Sequence, residues 1–497
     1  MVNFNVVSIA VLVCGTFAGC TVGPDFLRPD APKATAYTAA PMPEKTAASP
    51  VVGGEAQQLV NGRDIPAQWW TLFHSEELDK LVRRALADSP TLSAAQARLR
   101  EAHENLRAGT GALFPSVDAN MSAGREKLSG AAFGNPGNNF NLTLYNASVN
   151  VSYALDIFGG TRRELEALQS MVDYQRFQLE GAYLALTANI ATNAVQEASL
   201  RAQLGAARDI LAAEEKQLEI MELQYNLGGI ALPDVLAQRT QVAQTRTTIP
   251  PLQKQLDQTR HRMAVLAGRM PADAGELPVF NLDALQLPRE LPVSLPSSLV
   301  RQRPDIMASE ELLHAASAQV GVATADMYPK ITLTGSFGSE TNKLRHLFGS
   351  GTSIWGLGAD LLQPVFHGGQ LNAKRRAAVA AYDQASAQYR QTVLLAFQDV
   401  ADVLRALDAD ANTLKAHADA EAAARDSLDL ARTQFRLGAV SYLSLLNAER
   451  RYQQTKISLV QARAARFADT AALFQALGGG WWNRAEESDA TNGGKDK

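Results

Sequence analysis

Two stretches of the chain, Thr161 to Asn226 and Gln370 to Arg436, are built from Ala, Leu, Gln, Glu and Arg with almost no Gly or Pro. These residues lose little freedom in a helix. At 1.5 Å per residue, stretches of about 66 residues would span roughly 100 Å. Ordinary globular helices are far shorter, so the pattern predicts a coiled coil or a helical tube. The apolar positions are often alanine, as at Ala182, Ala185, Ala188, Ala191 and Ala194, which suits close approach between helices. Shorter helices, of about 20 and about 38 residues, are expected on either side of the long ones. Stacked end to end, they could run antiparallel beside one long helix. Pro250 and Pro251 interrupt the first of the 38-residue segments and are expected to bend it, because proline lacks a backbone donor.

Between the shorter and longer helices the period changes from 3.6 to 2. Val117, Ala119, Met121 and Ala123 alternate with Ser116, Asp118, Asn120 and Ser122. Tyr145, Ala147, Val149, Val151, Tyr153 and Leu155 alternate with Asn146, Ser148, Asn150, Ser152 and Asp156. Later, Ile331, Leu333 and Phe337 oppose Thr332, Thr334 and Ser336, and Trp355, Leu357, Ala359 and Leu361 oppose Gly356, Gly358 and Asp360. Alternation over about ten residues with aromatics near the ends fits a strand with lipid on one side and water on the other. Taken alone, it fits an antiparallel sheet half-buried on a soluble core at least as well. The N-terminal sequence described below and the long helices tilt the balance towards lipid. Gly, Asn and Ser-rich segments, Arg125 to Leu144 and Ser339 to Ser353, are expected as long loops joining each strand pair.

The order of these elements occurs twice. "DSPTLSAAQARLREAHENLRAGTGALFPSVDANMSAG" from Asp88 parallels "QRPDIMASEELLHAASAQVGVATADMYPKITLTGSFG" from Gln302, placing Pro90 against Pro304, Leu99 against Leu313 and Pro115 against Pro329. "YNLGGIALPDVL" from Tyr225 likewise parallels "FRLGAVSYLSLL" from Phe435. This is too long a period for a solenoid and indicates a duplicated half of helix, strand, strand, long helix, Gly-centred tip and helix. Four strands cannot close a barrel, and an open edge in lipid leaves backbone groups unpaired at several kcal/mol each. Three copies would supply twelve strands.

Composition narrows the remaining chemistry. With 47 basic and 51 acidic residues the chain gives no reason to expect nucleic acid as a partner. Its seven histidines are scattered without metal-ligand spacing, so no metal is expected. No Ser/His/Asp or Cys/His order, phosphate loop or dinucleotide fingerprint is present, and "GLGADLL" from Gly356 has the wrong spacing and lies in an alternating strand. No enzyme is expected. Val6 to Gly19 is an apolar run of signal-peptide length that stops at Cys20 in "FAGC". This resembles a bacterial lipobox, although Phe17 stands where Leu is usual and the first five residues carry no Lys or Arg. The alternative is an ordinary cleaved signal followed by a chance cysteine. If Cys20 is the acylated first residue, the remaining Cys14 leaves with the signal and no disulfide can form.

Several stretches together resemble TolC-like outer-membrane efflux proteins of the lipoprotein (NodT-type) branch. They are "GCTVGPDFLRP", "WWTLFHSEELDKLVRRAL" from Trp69, "RPDI" from Arg303, "YPKITLTGSFG", "LQPVFHGG", "FRLGAVSYLSLLNAERRY" and "ALGGGWW". The resemblance covers nearly all of the mature chain. It implies an α+β membrane protein: a trimeric 12-stranded β-barrel, four strands per chain, continued by a 12-helix α-barrel with a mixed equatorial belt. It divides the chain into a signal peptide (1–19), a lipid-anchored linker (20–60), a first repeat (61–269), an equatorial connector (270–302), a second repeat (303–482) and a disordered tail (483–497). The implied function is the exit duct of a tripartite pump in the bacterial outer membrane, reaching into the periplasm. Its partners would be a periplasmic adaptor and an inner-membrane resistance–nodulation–division transporter, with a covalent lipid on Cys20 and no other cofactor. A type I protein-secretion duct and a non-channel periplasmic coiled-coil scaffold are the alternatives.

The resemblance also assigns roles at the tips. Leu227, Gly228, Leu437 and Gly438 would meet the adaptor; alternatively, the two leucines only staple their turns internally. Related ducts narrow at carboxylate rings on the helix leaving the second tip, where this chain has Ser444 and Asn447. The first tip offers Asp234 at the place equivalent to Ser444. The expected constriction is therefore lined by Asp234, Ser444 and Asn447, unless Asp234 acts only as an N-terminal helix charge.

Overall fold

The computed structural model describes residues 21–129, 131, 134, 136–137 and 139–484. The lipidation proposed at Cys20, the signal peptide and nearly all of the expected tail lie outside these residues. In chain order the regular elements are β1 (Gln58–Asn61), α1 (Glu76–Asp88), α2 (Pro90–Thr110), β2 (Ser116–Leu128), β3 (Phe140–Leu155), α3 (Gly160–Asn226) and α4 (Leu232–Leu266). They continue with β4 (Glu290–Val293), α5 (Pro296–Gln302), α6 (Pro304–Ala325), β5 (Lys330–Thr341), β6 (Ser353–Leu362), α7 (Gln370–Arg436) and α8 (Tyr442–Ala476). The duplication is reproduced closely: α3 and α7 both have 67 residues, and α4 and α8 both have 35. Pro250 and Pro251 do not divide α4, which runs through both as one helix.

The chain forms two compact units, each drawing on both repeats. Among the described residues, one comprises those within 21–29, 98–176 and 308–390; the other comprises 30–97, 177–307 and 391–484. The first unit carries a four-stranded antiparallel sheet in the order β2-β3-β5-β6. Register is continuous, pairing Ala119 with Val149, Val149 with Phe337, and Phe337 with Trp355. Because side chains alternate across a strand, one face carries Val117, Met121, Val151, Leu333, Leu357 and Leu361, and the other Asp118, Asn120, Asn150, Thr334 and Asp360. The strands extend beyond the expected alternation. β2 runs through Arg125, Glu126 and Lys127, which pair with Thr143, Leu142 and Asn141. The two loops accordingly shorten to 129–139 and 342–352.

Most of the apolar face is uncovered among the described residues: Leu357 is 83% exposed, Trp355 74% and Phe337 66%. A half-buried soluble sheet would hide these side chains. Near the helices, the N-terminal segment is held by Arg163, which pairs with Asp25 at 2.6 Å and Glu166 at 2.7 Å. Phe26 stacks on His314 with centroids 4.3 Å apart.

The second unit has an aromatic and aliphatic core. Trp69, Trp70 and Phe73 are buried with Phe467 and Phe474, and Trp69 stacks on Phe474 at 5.2 Å. Leu78, Leu81, Val82 and Ala85 are the buried stripe of α1, whose N-terminus is capped by the Ser75 side chain. β1 and β4 form a parallel pair. The segment read as an extended linker is irregular but closely attached. Arg466, fully buried, donates to the Gly53 carbonyl at 3.0 Å and Thr46 Oγ1 at 3.1 Å. Arg303 of the "RPDI" sequence grips Asp305 and Asp399 and donates to the Ala476 carbonyl, tying the start of α6 to α7 and to the end of α8. From the connector, Phe280, Leu282 and Leu291 are buried, and the Gln286 N–H donates to the Phe73 carbonyl at 3.1 Å.

Candidate functional site: the paired helical tips

Both long helices end in the same hydrogen-bond pattern. In the first tip, the Gly228 N–H donates to Tyr225 O at 2.9 Å and the Gly229 N–H to Gln224 O at 2.8 Å. In the second, the Gly438 N–H donates to Phe435 O and the Ala439 N–H to Gln434 O, both at 2.9 Å. This is the Schellman arrangement, which satisfies the last helical carbonyls when one residue adopts the left-handed conformation. Gly228 (φ 76°) and Gly438 (φ 71°) supply it, as an L side chain would do only with strain.

Leu227 and Leu437 precede these glycines, and each is 78% exposed. The inner side of the turns is filled instead by Ile230 and Phe435, which rest on a cluster of Met221, Val235, Leu428, Tyr442, Leu445 and Leu446. Asp234 and Ser444 occupy equivalent places, each the third residue of its helix. Asp234 is half-buried, in the first turn of α4 just after Pro233, where a negative charge complements the helix dipole. Ser444 is exposed, and its N–H donates to the capping Ser441 side chain. Asn447 is exposed one turn further on.

Beneath this apolar layer lies a buried polar network that binds three helices. Gln238 of α4 donates to the Glu214 main-chain oxygen of α3 at 2.8 Å and accepts from the Tyr442 hydroxyl of α8. Gln241 donates to Glu214 Oε1 at 2.9 Å, and Gln453 donates to the same oxygen. The second Glu214 oxygen, Oε2, is buried without a hydrogen-bond partner, as is Glu449 Oε2. Burial pushes the Glu449 carboxyl above its usual range; Arg432 opposes the shift and Glu214 adds to it. Burial also raises the Tyr442 hydroxyl, with the Glu449, Glu214 and Asp234 carboxylates adding to the shift. A groove of about 1150 Å³ beside the network is lined by Glu214, Arg432, Phe435, Gly438, Glu449 and Lys456. Sequence reasoning did not find these polar residues. Their only signal was Gln and Glu side chains within otherwise helical, weakly apolar stretches.

The two repeats also coincide with a family pattern. A sequence profile described as "Outer membrane efflux protein" matches residues 81–269 and 295–479. The chain belongs to this family. Both matched segments end just past the helix that leaves a tip, so each contains one complete tip. The chain is 33% identical over 422 residues to the pyoverdine export outer membrane protein OpmQ of Pseudomonas aeruginosa, covering 83% of this chain and 87% of that protein. It is 30% identical over 474 residues to the toluene efflux pump outer membrane protein TtgC of Pseudomonas putida, covering 95% of each. Among solved structures, the outer-membrane channel OprN superposes with a TM-score of 0.83 at 28% identity, covering 93% of this chain and 100% of that one. As a member of the outer membrane efflux protein family, the chain is an efflux duct of the outer membrane.

Proposed function

We propose that three copies of this chain form the exit duct of a tripartite efflux pump that passes small molecules from the periplasm to the exterior. The observation that carries this is the four-stranded sheet, whose edges β2 and β6 pair with no other described strand and whose apolar face is largely uncovered. In lipid an open edge costs several kcal/mol per unpaired backbone group, so such a sheet is stable there only when closed. Three copies give twelve strands, an even number compatible with an outer-membrane barrel. The apolar face then meets lipid, and the face carrying Asp118, Asp360, Glu126 and Glu340 lines the lumen. The 67-residue helices α3 and α7, with their shorter partners, make a twelve-helix tube through the periplasm. No reaction takes place in the duct; an inner-membrane resistance–nodulation–division transporter supplies the energy. A lipid on Cys20 anchors the mature chain.

The six tips of the trimer face a periplasmic adaptor, to which Leu227 and Leu437 present apolar side chains backed by the Gly228 and Gly438 turns. Asp234, Ser444 and Asn447 line the narrowest part of the pore and make it weakly acidic and cation-preferring. Relatives named for pyoverdine and for toluene are similar in sequence to this chain over most of its length, which supports a duct that leaves substrate choice to its partners. Mass measurement of the detergent-extracted protein tests the assembly: a trimer is expected, and a stable monomer overturns the barrel. Asp234→Ala is expected to reduce cation preference in single-channel recordings, and unchanged selectivity removes Asp234 from the constriction.

A further inference from the structure

The apolar face of the sheet does not end the same way at its two limits. Between Val117 and Ala123, Tyr145 and Leu155, Ile331 and Ser339, and Trp355 and Leu361, that face carries no charged residue. At the loop end the same row of β2 continues into Arg125 and Lys127, both exposed. The acids of that end stand on the opposite face: Glu126 alternates with them, and Glu340 meets Asn146 across the strands at 3.4 Å. The loop 342–352 then folds onto the apolar side. Its Phe348, Gly349 and Thr352 border an open groove of about 560 Å³ beside Met121, Val149 and Phe337. The Ser339 hydroxyl and the Thr352 hydroxyl both bond the Leu347 carbonyl, and Glu340 N–H donates to Thr352 O at 2.8 Å. The loop therefore has a defined position, with Leu347 buried and Lys343, Leu344, Arg345, His346 and Phe348 exposed. At the helix end Lys330 lies on the opposite face and is paired with Asp326 at 2.8 Å, and Phe114, Tyr328 and Phe366 are exposed side chains.

We propose that Arg125, Lys127, Lys343 and Arg345 form an outer-rim site for phosphate-bearing lipid headgroups, with Leu344 and Phe348 entering the acyl region beside them. The inference rests on the barrel reading above, which puts the apolar face in lipid and the loop end outside. Apolar side chains that continue directly into unopposed cations match an amphiphile whose charge sits at the edge of its hydrocarbon. A soluble acidic partner would match the cations but not the adjoining apolar face. Each basic residue at an anionic surface changes occupancy by roughly fivefold.

The test uses the full chain in nanodiscs of phosphatidylcholine containing a minor fraction of phosphatidylglycerol, followed by native mass spectrometry of the released assembly. The unaltered protein is expected to retain phosphatidylglycerol several-fold above its share of the bilayer. Arg125→Gln, Lys127→Gln, Lys343→Gln and Arg345→Gln together are expected to abolish that enrichment, whereas Glu126→Gln with Glu340→Gln leaves it in place. Retention in proportion to the bilayer by the unaltered protein overturns the proposal, without needing any variant. So does full enrichment in the fourfold variant, or displacement of the lipid by inorganic phosphate alone. The mass of the same assembly separates the two levels: a trimer without enrichment defeats only this site, and a monomer defeats the barrel beneath it.

Discussion

The two tips share a C-terminal cap and differ in how the next helix begins. Both place a left-handed glycine after an exposed leucine and close the same pair of backbone bonds. The second tip then starts α8 with Ser441, whose side chain caps the helix, and with Tyr442, which is buried and bonded to Gln238. The first tip starts α4 with Ala231, which has no capping side chain, and with Leu232, which is exposed. Pro233 follows and needs no donor partner, and Asp234 supplies charge. At its first helical residue one tip is therefore rooted in the core, while the other rests there on helix-terminal chemistry and reaches the core only beside it, through Ile230 and Val235. Duplication conserved the turn, whose geometry only glycine meets easily, and left the entry to the next helix free to diverge.

The largest test removes the root. Tyr442→Ala should cost about 3–5 kcal/mol as a truncated buried aromatic, whereas Leu232→Ala at the matching place should stay within about 0.5 kcal/mol. Hydrogen exchange of the tip amides measures both, and comparable costs would erase the distinction drawn between the tips. The shared cap makes the opposite prediction of equality. Gly228→Ala and Gly438→Ala should each cost about 1–2 kcal/mol from the left-handed backbone, since an added Cβ meets nothing within 4 Å at either place. Unequal losses would mean that one turn is held by contacts beyond its own backbone.

Smaller effects sharpen the contrast further. Ser441→Ala should cost about 1 kcal/mol through loss of the cap, with no counterpart at Ala231; the thermal midpoint of the extracted protein reads this directly. The smallest effect is in pH. Glu449 has a raised pKa in the folded state, so the folded chain holds a proton there more readily than the unfolded chain. Stability at the second tip should therefore fall as pH rises from the ordinary carboxyl range through the raised value, then level off. The groups facing Glu449 are Arg432, which limits the shift, and Glu214, which enlarges it. Glu449→Gln should flatten this dependence in the same exchange measurement, and an unchanged slope would assign it to another carboxyl.

Much of the fold was legible because it is periodic. α7 has the bounds expected from composition, Gln370 and Arg436, and α3 differs from expectation by one residue at its start. The strand faces follow the alternation at the positions where the sequence shows it. The strand ends did not, because Arg125, Glu126 and Lys127 look like loop residues until Thr143, Leu142 and Asn141 are placed opposite them. The attachment of residues 45–58 was hidden for a similar reason. Its partner, Arg466, lies more than 400 residues away and reads locally as one more helical arginine.

At the tips, sequence by itself determined the turns and the uneven charge of Asp234 against Ser444 and Asn447, since both follow from local backbone chemistry and position in the repeat. It also determined which residues share a face within each strand, because period two fixes the alternation; that the four faces join into one follows from the observed pairing. Tertiary structure decided that most of this face stays uncovered and that its row on β2 runs on into the exposed Arg125 and Lys127. It also decided that Leu227 and Leu437 point outward while Tyr442 points in, and that Glu214, Gln238, Gln241 and Gln453 meet in one buried network. Those outcomes depend on which helix lies beside which, and a helical period specifies a face without naming its neighbour.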